Sequence, residues 1–309
     1  MDPVFQVQGL DSKFLFVKYA GETAESGSLG QPLKPKPRRR LSTERRAIKC
    51  LRANLPVDIE LAEVVQFDKQ SSLLVLSEVC PNGKPLQDYL RQGIFDAEIA
   101  VKVSRFLAAC HNMTENVPAL WGEHETDLRH WGAMLALRTT EIESPLFSSQ
   151  LRVDLQRLRS SSDAARRNGF FLLDCCPKNI HVGDGAIGMI DLELCSSVGD
   201  PAYDLGILLG HYVLWGLCTS AGDSCEVALR AALDAYRRDI SAEWPGVYPR
   251  VAAFAGASIL HSVVRDRRIG VRGFETRLIA TAAALLSNGI ADIAGVEQRL
   301  ADAGAGRLM

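Results

Sequence analysis

Leu172-Leu173-Asp174-Cys175-Cys176-Pro177-Lys178-Asn179-Ile180 and, beyond a Gly183-Asp184-Gly185 turn, Met189-Ile190-Asp191-Leu192-Glu193 decide the reading of this chain. Three short apolar runs, 170–173, 180–182 and 187–191, have the patterning of strands, and the glycine-flanked turn joins the last two into a hairpin. Asp174 and Asn179 stand in the loop before the hairpin, and Asp191 stands at its exit. Two carboxylates and an amide are the oxygen donors that hard divalent cations take. Asp and Asn are also common in turns, so the Asp174/Asn179 pair alone is weak. The apolar strand that ends in Asp191 makes the pattern more specific.

Outward from this island the texture towards the C-terminus is helical. Residues 97–113 are amphipathic, 128–141 and 150–160 fit helices, and 203–305 are rich in Ala and Leu with few strand signals. Towards the N-terminus, Val4 to Gln8 alternates, residues 9–12 have turn composition, and 13–19 resume as a β-prone run, which predicts a hairpin. Residues 21–40 are rich in Gly, Ser, Pro and charge and read as a loop; the basic run from Lys34 to Arg40 within it reads as solvated. A helix is expected from Ser42 or Thr43 to about Asn54, with Glu44, Ala47, Ile48 and Leu51 on one face. Strands are expected around 61–67 and 72–79, and Cys80-Pro81-Asn82-Gly83-Lys84-Pro85 breaks the pattern. The result is an α+β chain in two lobes: a small β lobe with one helix over 1–80, and a larger, mostly helical lobe over 81–309.

Composition narrows the classes. The chain has 309 residues, 47% apolar, enough for a sizeable core. Lys and Arg number 35 against 37 acidic residues, so no global electrostatic case for a nucleic-acid partner exists. Eight cysteines without framework spacing, two of them adjacent, point to a reduced, cytoplasmic setting and not to a disulfide scaffold. The opening residues lack the pattern of a signal peptide, and the most apolar run, 205–218, is interrupted by His211 and short of a membrane span, so no membrane partner is expected. Cys175, Cys176, His181 and Cys195 lack zinc-ligand spacing and read as buried thiols, and His111 as a structural histidine.

Phosphoryl transfer needs a carboxylate near the attacking hydroxyl and oxygen ligands for Mg²⁺ on the nucleotide phosphates. Asp174, Asn179 and Asp191, followed by Gly199-Asp200-Pro201-Ala202-Tyr203-Asp204-Leu205, resemble the phosphotransferase family of aminoglycoside phosphotransferases, choline kinases and methylthioribose kinases. The resemblance implies a two-lobed protein-kinase-like fold, ATP and Mg²⁺ as cofactors, and a small-molecule substrate with a hydroxyl, such as an aminoglycoside or other antibiotic, an amino alcohol or a sugar. It implies Asp174 as the group that accepts or orients the hydroxyl proton, with Asn179 and Asp191 on the metal and Glu193 adding an oxygen there. Lys18 matches the phosphate-binding lysine and Glu44 its partner, with Glu60 and Glu63 as competitors for that place. The segment Leu73–Val79, with Glu78 and Cys80 at its end, matches the hinge that binds the nucleotide base, and Asp204 matches a buried structural acceptor.

The chain departs from the family in two places. Leu172-Leu173 stand where the family has His-Gly, and only 17 residues precede Lys18, so the first strand and phosphate-covering loop are expected to be absent. These departures motivate the alternative of a non-catalytic pseudokinase that binds nucleotide or a protein partner. Trp121, His124, His130 and Trp131, with Glu123, Glu125 and Asp127, form a polar-aromatic cluster that reads either as a substrate pocket or as a solvated helix start.

Overall fold

The computed structural model describes residues 4–8, 14–20, 40–54, 59–113, 117, 147–183, 185–219, 221–241, 247–264, 271–287, 298 and 302–303. The expected helix over 128–141 and the cluster from Trp121 to Trp131 lie outside these residues.

The N-terminal hairpin forms as its alternation predicts. Strand β1 (Val4–Gln8) pairs antiparallel with β2 (Phe14–Tyr19), Val4 opposite Lys18. The helix α1 (Arg40–Asn54) follows. Then come β3 (Ile59–Leu61), β4 (Val64–Asp68) and β5 (Leu73–Ser77). Strands β1, β2, β5 and β4 make one antiparallel sheet in the order β1-β2-β5-β4. Glu44, Ala47, Ile48 and Leu51 are all buried on α1, as the helical spacing requires.

Two details differ from the sequence reading. The helix begins at Arg40, ahead of Ser42 and Thr43, and Arg40 is 1% exposed and not solvated. A buried acidic partner for this arginine comes from a distant turn, which local composition does not reveal. The region around 61–67 also splits into β3 and β4, and β3 leaves the N-terminal sheet altogether.

The second sheet holds the hairpin that follows Asn179. Strand β6 (Lys84–Pro85) leads into helices α2 (Leu86–Arg91) and α3 (Ala97–Asn112), and α4 (Ser149–Ala164) precedes β7 (Arg167–Phe171). The hairpin is β8 (Ile180–Gly183) and β9 (Ala186–Met189). Strand β3 adds to it in parallel against β9, and β6 pairs with β8, giving the order β3-β9-β8-β6. Strand β10 (Ser196–Gly199) returns to pair with β7. The chain ends in four described helices, α5 (Pro201–Cys218), α6 (Gly222–Asp239), α7 (Val247–Val264) and α8 (Glu275–Ser287). Helix α7 packs on both α5 and α8, and α3 on α6. Although α7 is long and apolar enough to cross a membrane, two thirds of it is buried within this helical layer.

Close approach of α5 and α7 depends on glycine. A Cβ at Gly206 would lie 2.4 Å from the Cβ of Phe254 and 2.8 Å from the carbonyl of Val251, neither of which can swing aside. Gly→Ala in an ordinary helix interior gains about 1 kcal/mol in propensity. Overpacking of this kind costs about 1–3 kcal/mol and more than offsets it. Gly206→Ala is therefore expected to lower the urea midpoint with an unchanged slope. An unchanged or raised midpoint would show that the helices separate freely.

Candidate active site

Four side chains from three elements converge beside the hairpin. Lys18 on β2 places its Nζ 2.7 Å from Glu44 Oε1, 2.9 Å from Glu44 Oε2 and 2.9 Å from Asp191 Oδ1. Oxygen atoms of Glu44, Asp191 and Glu193 lie within 4.8 Å of one another. Glu44 is thus the carboxylate that meets Lys18. Of its competitors, Glu60 accepts the backbone N–H of Cys80 at 2.8 Å and Glu63 pairs with Arg52 at 2.8 Å.

The charges of this group shift one another. Burial opposes the ammonium of Lys18, but the carboxylates of Glu44 and Asp191 outweigh it and hold the lysine firmly protonated. Burial pushes the carboxyl of Glu44 up, and Asp191 and Glu193 add to that, with Lys18 offsetting part of it. Three carboxylates drawn this close offer the oxygen donor set that a hard divalent cation takes.

Asp191 leaves β9 in the left-handed region, at φ 61° and ψ 49°, a conformation that Asp tolerates better than most residues. This bend starts the short 3₁₀ turn 192–194, on which Glu193 is 5% exposed. Arg40 Nε reaches Glu193 Oε2 at 3.3 Å, so the turn is tied to the start of α1.

Asp174 lies in the loop between β7 and β8, held by donors on both oxygens. Asn179 Nδ2 donates to Asp174 Oδ2 at 3.1 Å and to the Asp174 backbone carbonyl at 3.0 Å. The Cys176 thiol donates to Asp174 Oδ1 at 2.9 Å, and Lys178 Nζ lies 3.4 Å from Oδ2. Burial and the charge of Asp174 push the Cys176 thiol well up, so it stays an S–H donor. Asp174 raises Lys178 in turn, against its burial. The backbone N–H of Ile190 donates to the Asn179 carbonyl at 3.0 Å, which couples this loop to the residue before Asp191.

The Leu172-Leu173 departure has a structural counterpart. The N–H groups of Leu172 and Leu173 each donate to the fully buried carboxylate of Asp204 at 2.8 Å. His111, also fully buried, bridges Asp204 (Nε2, 3.3 Å) and the Tyr236 hydroxyl (Nδ1, 2.8 Å) and stacks on Phe171. The anchor runs through the main chain, so leucine side chains can fill the core at these two positions, 3% and 5% exposed. Asp204 and His111 have the structural surroundings expected of them. Asp200 caps α5 through the Ala202 N–H at 3.1 Å and is clamped by Arg250 at 2.7 and 3.1 Å.

At the end of β5, Glu78 is partly exposed. Cys80 has its N–H engaged by Glu60 and its carbonyl by the Gly83 N–H at 2.7 Å. Sequence reasoning missed Arg40, the contacts of Cys176 and Lys178 with Asp174, and the contact of Glu60 with the Cys80 N–H. Lys178 and Cys176 had a local signal, since both flank Asp174 within the quoted stretch; Arg40 and Glu60 had none.

Comparisons with known proteins bear on the family and the fold. A sequence search of curated proteins gives no match. Among solved structures, an amicoumacin kinase in complex with AMP-PNP, Ca²⁺ and Ami superposes with a TM-score of 0.54 at 16% identity, over 92% of this chain and 85% of that one. A choline/ethanolamine kinase family protein from Mesorhizobium loti gives 0.51 at 13% identity, over 97% and 92%. The macrolide 2′-phosphotransferase of Brachybacterium faecium gives 0.50 at 16% identity, over 94% and 89%. At these identities the likeness establishes the two-lobed, protein-kinase-like fold. The sequence profile described as the phosphotransferase enzyme family matches residues 6–250, a span that holds Lys18, Glu44, Asp174, Asn179, Asp191 and Asp204. With most of the chain inside that match, the protein belongs to the phosphotransferase enzyme family.

Proposed function

We propose that this phosphotransferase is a small-molecule kinase that moves the γ-phosphoryl group of Mg²⁺·ATP to an alcohol hydroxyl and releases ADP. The observation that carries the reading is the meeting of Lys18, Glu44 and Asp191 within 2.9 Å, next to an Asp174 loop tied to the same hairpin. In this reading residues 1–80 form the nucleotide lobe and 81–309 the catalytic lobe. The base lies along Leu73–Cys80, with Glu78 and Cys80 at its edge. Lys18 turns from Asp191 to the α/β-phosphates, and Glu44 holds the ammonium in place.

Asn179 and Asp191 would hold Mg²⁺, and Glu193 would add an oxygen near it. The Asn179 amide nitrogen is committed to Asp174, which leaves its side-chain oxygen as the atom a metal would take. A metal here supplies charge neutralisation on the transferred group. Asp174 orients the acceptor hydroxyl and takes its proton as the O–P bond forms. The acceptor class is an aminoglycoside or other antibiotic, an amino alcohol or a sugar, and the setting is the cytoplasm.

Calorimetry with Mg²⁺·ATP tests the reading directly. Binding that requires the metal, and that weakens about 10–100-fold in Asp191→Asn, is expected, on the scale that even outer-shell changes cost a metal site. A folded wild-type protein that binds no Mg²⁺·ATP would overturn the reading.

A further inference from the structure

The carboxylate of Asp174 is held at both oxygens, and unequally. Asn179 Nδ2 donates to Oδ2 at 3.1 Å, and the Lys178 ammonium lies 3.4 Å from the same oxygen. Oδ1 accepts the Cys176 thiol at 2.9 Å. Each carboxylate oxygen offers about two lone-pair sites, and a thiol is a weak donor. Oδ2 therefore faces two strong donors, and Oδ1 faces one weak one. The outer torsion of an aspartate is broad and roughly two-fold, so a contact to one oxygen alone leaves the carboxylate free to turn. A donor on each oxygen fixes its plane.

Cys176 is itself firmly mounted. Pro177 follows it, which restricts Cys176 to extended backbone, and it stands at φ −83° and ψ 142°. Its carbonyl accepts the Asn179 N–H at 2.8 Å across the 3₁₀ turn 177–179. One short turn thus carries both the amide that holds Oδ2 and the thiol that holds Oδ1.

We propose that Cys176 is a positioning residue for phosphotransfer: its S–H turns the Asp174 carboxylate so that Oδ1 is the oxygen that receives the acceptor hydroxyl. The hydroxyl proton passes to Oδ1 as the hydroxyl oxygen bonds to the γ-phosphorus and the bond to the ADP oxygen breaks; the thiol keeps its own proton. Cys176 acts through Asp174 alone. The chemical part of the inference rests on the phosphotransferase reading above; the hold of Cys176 on Asp174 does not.

The test compares wild type, Cys176→Ser, Cys176→Val and Asp174→Asn. The probe for turnover is Mg²⁺·ATP with water as the acceptor, read as phosphate release, beside Mg²⁺·AMP-PNP affinity by calorimetry and thermal unfolding. Serine keeps the donor and loses volume, whereas valine keeps volume, loses the donor and suits an extended backbone. Cys176→Val is expected to lower kcat about 10–100-fold, the scale of a slightly misplaced catalytic group, and to leave AMP-PNP affinity within about threefold of wild type. Cys176→Ser should recover most of that loss. A thiol that merely fills space gives the reverse order, with valine close to wild type and serine the weaker protein. That order, or equal turnover in all three, overturns the proposal. Infrared difference spectra of wild type against Cys176→Ser, without nucleotide, read the contact itself. The S–H stretching band of Cys176 should lie below that of the other buried thiols and move back up in Asp174→Asn, since hydrogen bonds to an ionised acceptor are the stronger ones. A band at the ordinary thiol frequency overturns the proposal. If Cys176→Val fails to fold, Cys176→Ala replaces it: turnover lost there and kept in Cys176→Ser supports the donor, and equal loss overturns it. A wild type that hydrolyses no ATP counts against the phosphotransferase reading alone, and the infrared band still decides whether Cys176 holds Asp174.

Discussion

Replacing Asp174 with alanine is expected to lower turnover by about 10²–10⁴-fold, the range for loss of a positioned general base. The loop should keep its shape. Asn179 also donates to the Asp174 backbone carbonyl at 3.0 Å, and that contact survives the substitution. Mg²⁺·ATP affinity should therefore stay close to wild type, so the loss falls on kcat and not on nucleotide binding. Asp174→Asn should be nearly as inactive, because an amide can orient a hydroxyl but cannot take its proton. A coupled ADP-release assay against a panel of aminoglycosides, choline-like alcohols and sugars measures this once one acceptor turns over. Equal turnover in wild type and Asp174→Ala would remove Asp174 from the chemistry and favour the non-catalytic alternative.

Asp204→Ala is expected to have the largest effect on stability. Its carboxylate is fully buried and accepts the N–H groups of both Leu172 and Leu173. Each buried donor left unpaired costs about 1–3 kcal/mol, so two put the loss at about 2–6 kcal/mol before the broken His111 contact is counted. The same bonds hold Leu173 at φ 59°, a left-handed conformation that costs a leucine roughly 1–2 kcal/mol. Without them the backbone before Asp174 should relax, and activity should fall along with stability. Urea denaturation gives the loss, and hydrogen exchange at the Leu172 and Leu173 amides locates it. Asp204→Asn keeps one acceptor oxygen and should lose less. A midpoint shift of under about 1 kcal/mol for Asp204→Ala would mean that other groups satisfy these amides.

Much of the site was legible because its parts are close in the chain. Asp174 and Asn179 share one loop, Asp191 ends the strand that a Gly-Asp-Gly turn brings back, and Asp200 and Asp204 mark the first turn of a helix. Lys18 and Glu44 were singled out because they match the lysine and its partner in the family that the chain resembles, and local spacing left Glu60 and Glu63 open as alternatives. Their pairing between β2 and α1 is a tertiary contact.

Other features have no local cause. Strand β3 is three residues long, and it joins the β8–β9 hairpin in parallel, a pairing set by packing across distant segments and not by its own composition. That pairing carries Glu60 to the Cys80 N–H, so a glutamate open to several readings became a brace for the segment after β5. Arg40 closes a run of basic residues that looks solvated in the sequence, yet packing of α1 on the 192–194 turn buries it against Glu193. From the sequence alone, the resemblance carried by residues 174–205 indicated the class of chemistry and the residues expected to bear it, because such loop and turn motifs are short-range properties. Only the tertiary structure decided how the surrounding charges are balanced, because a buried ion pair exists only once both partners have been taken out of water together.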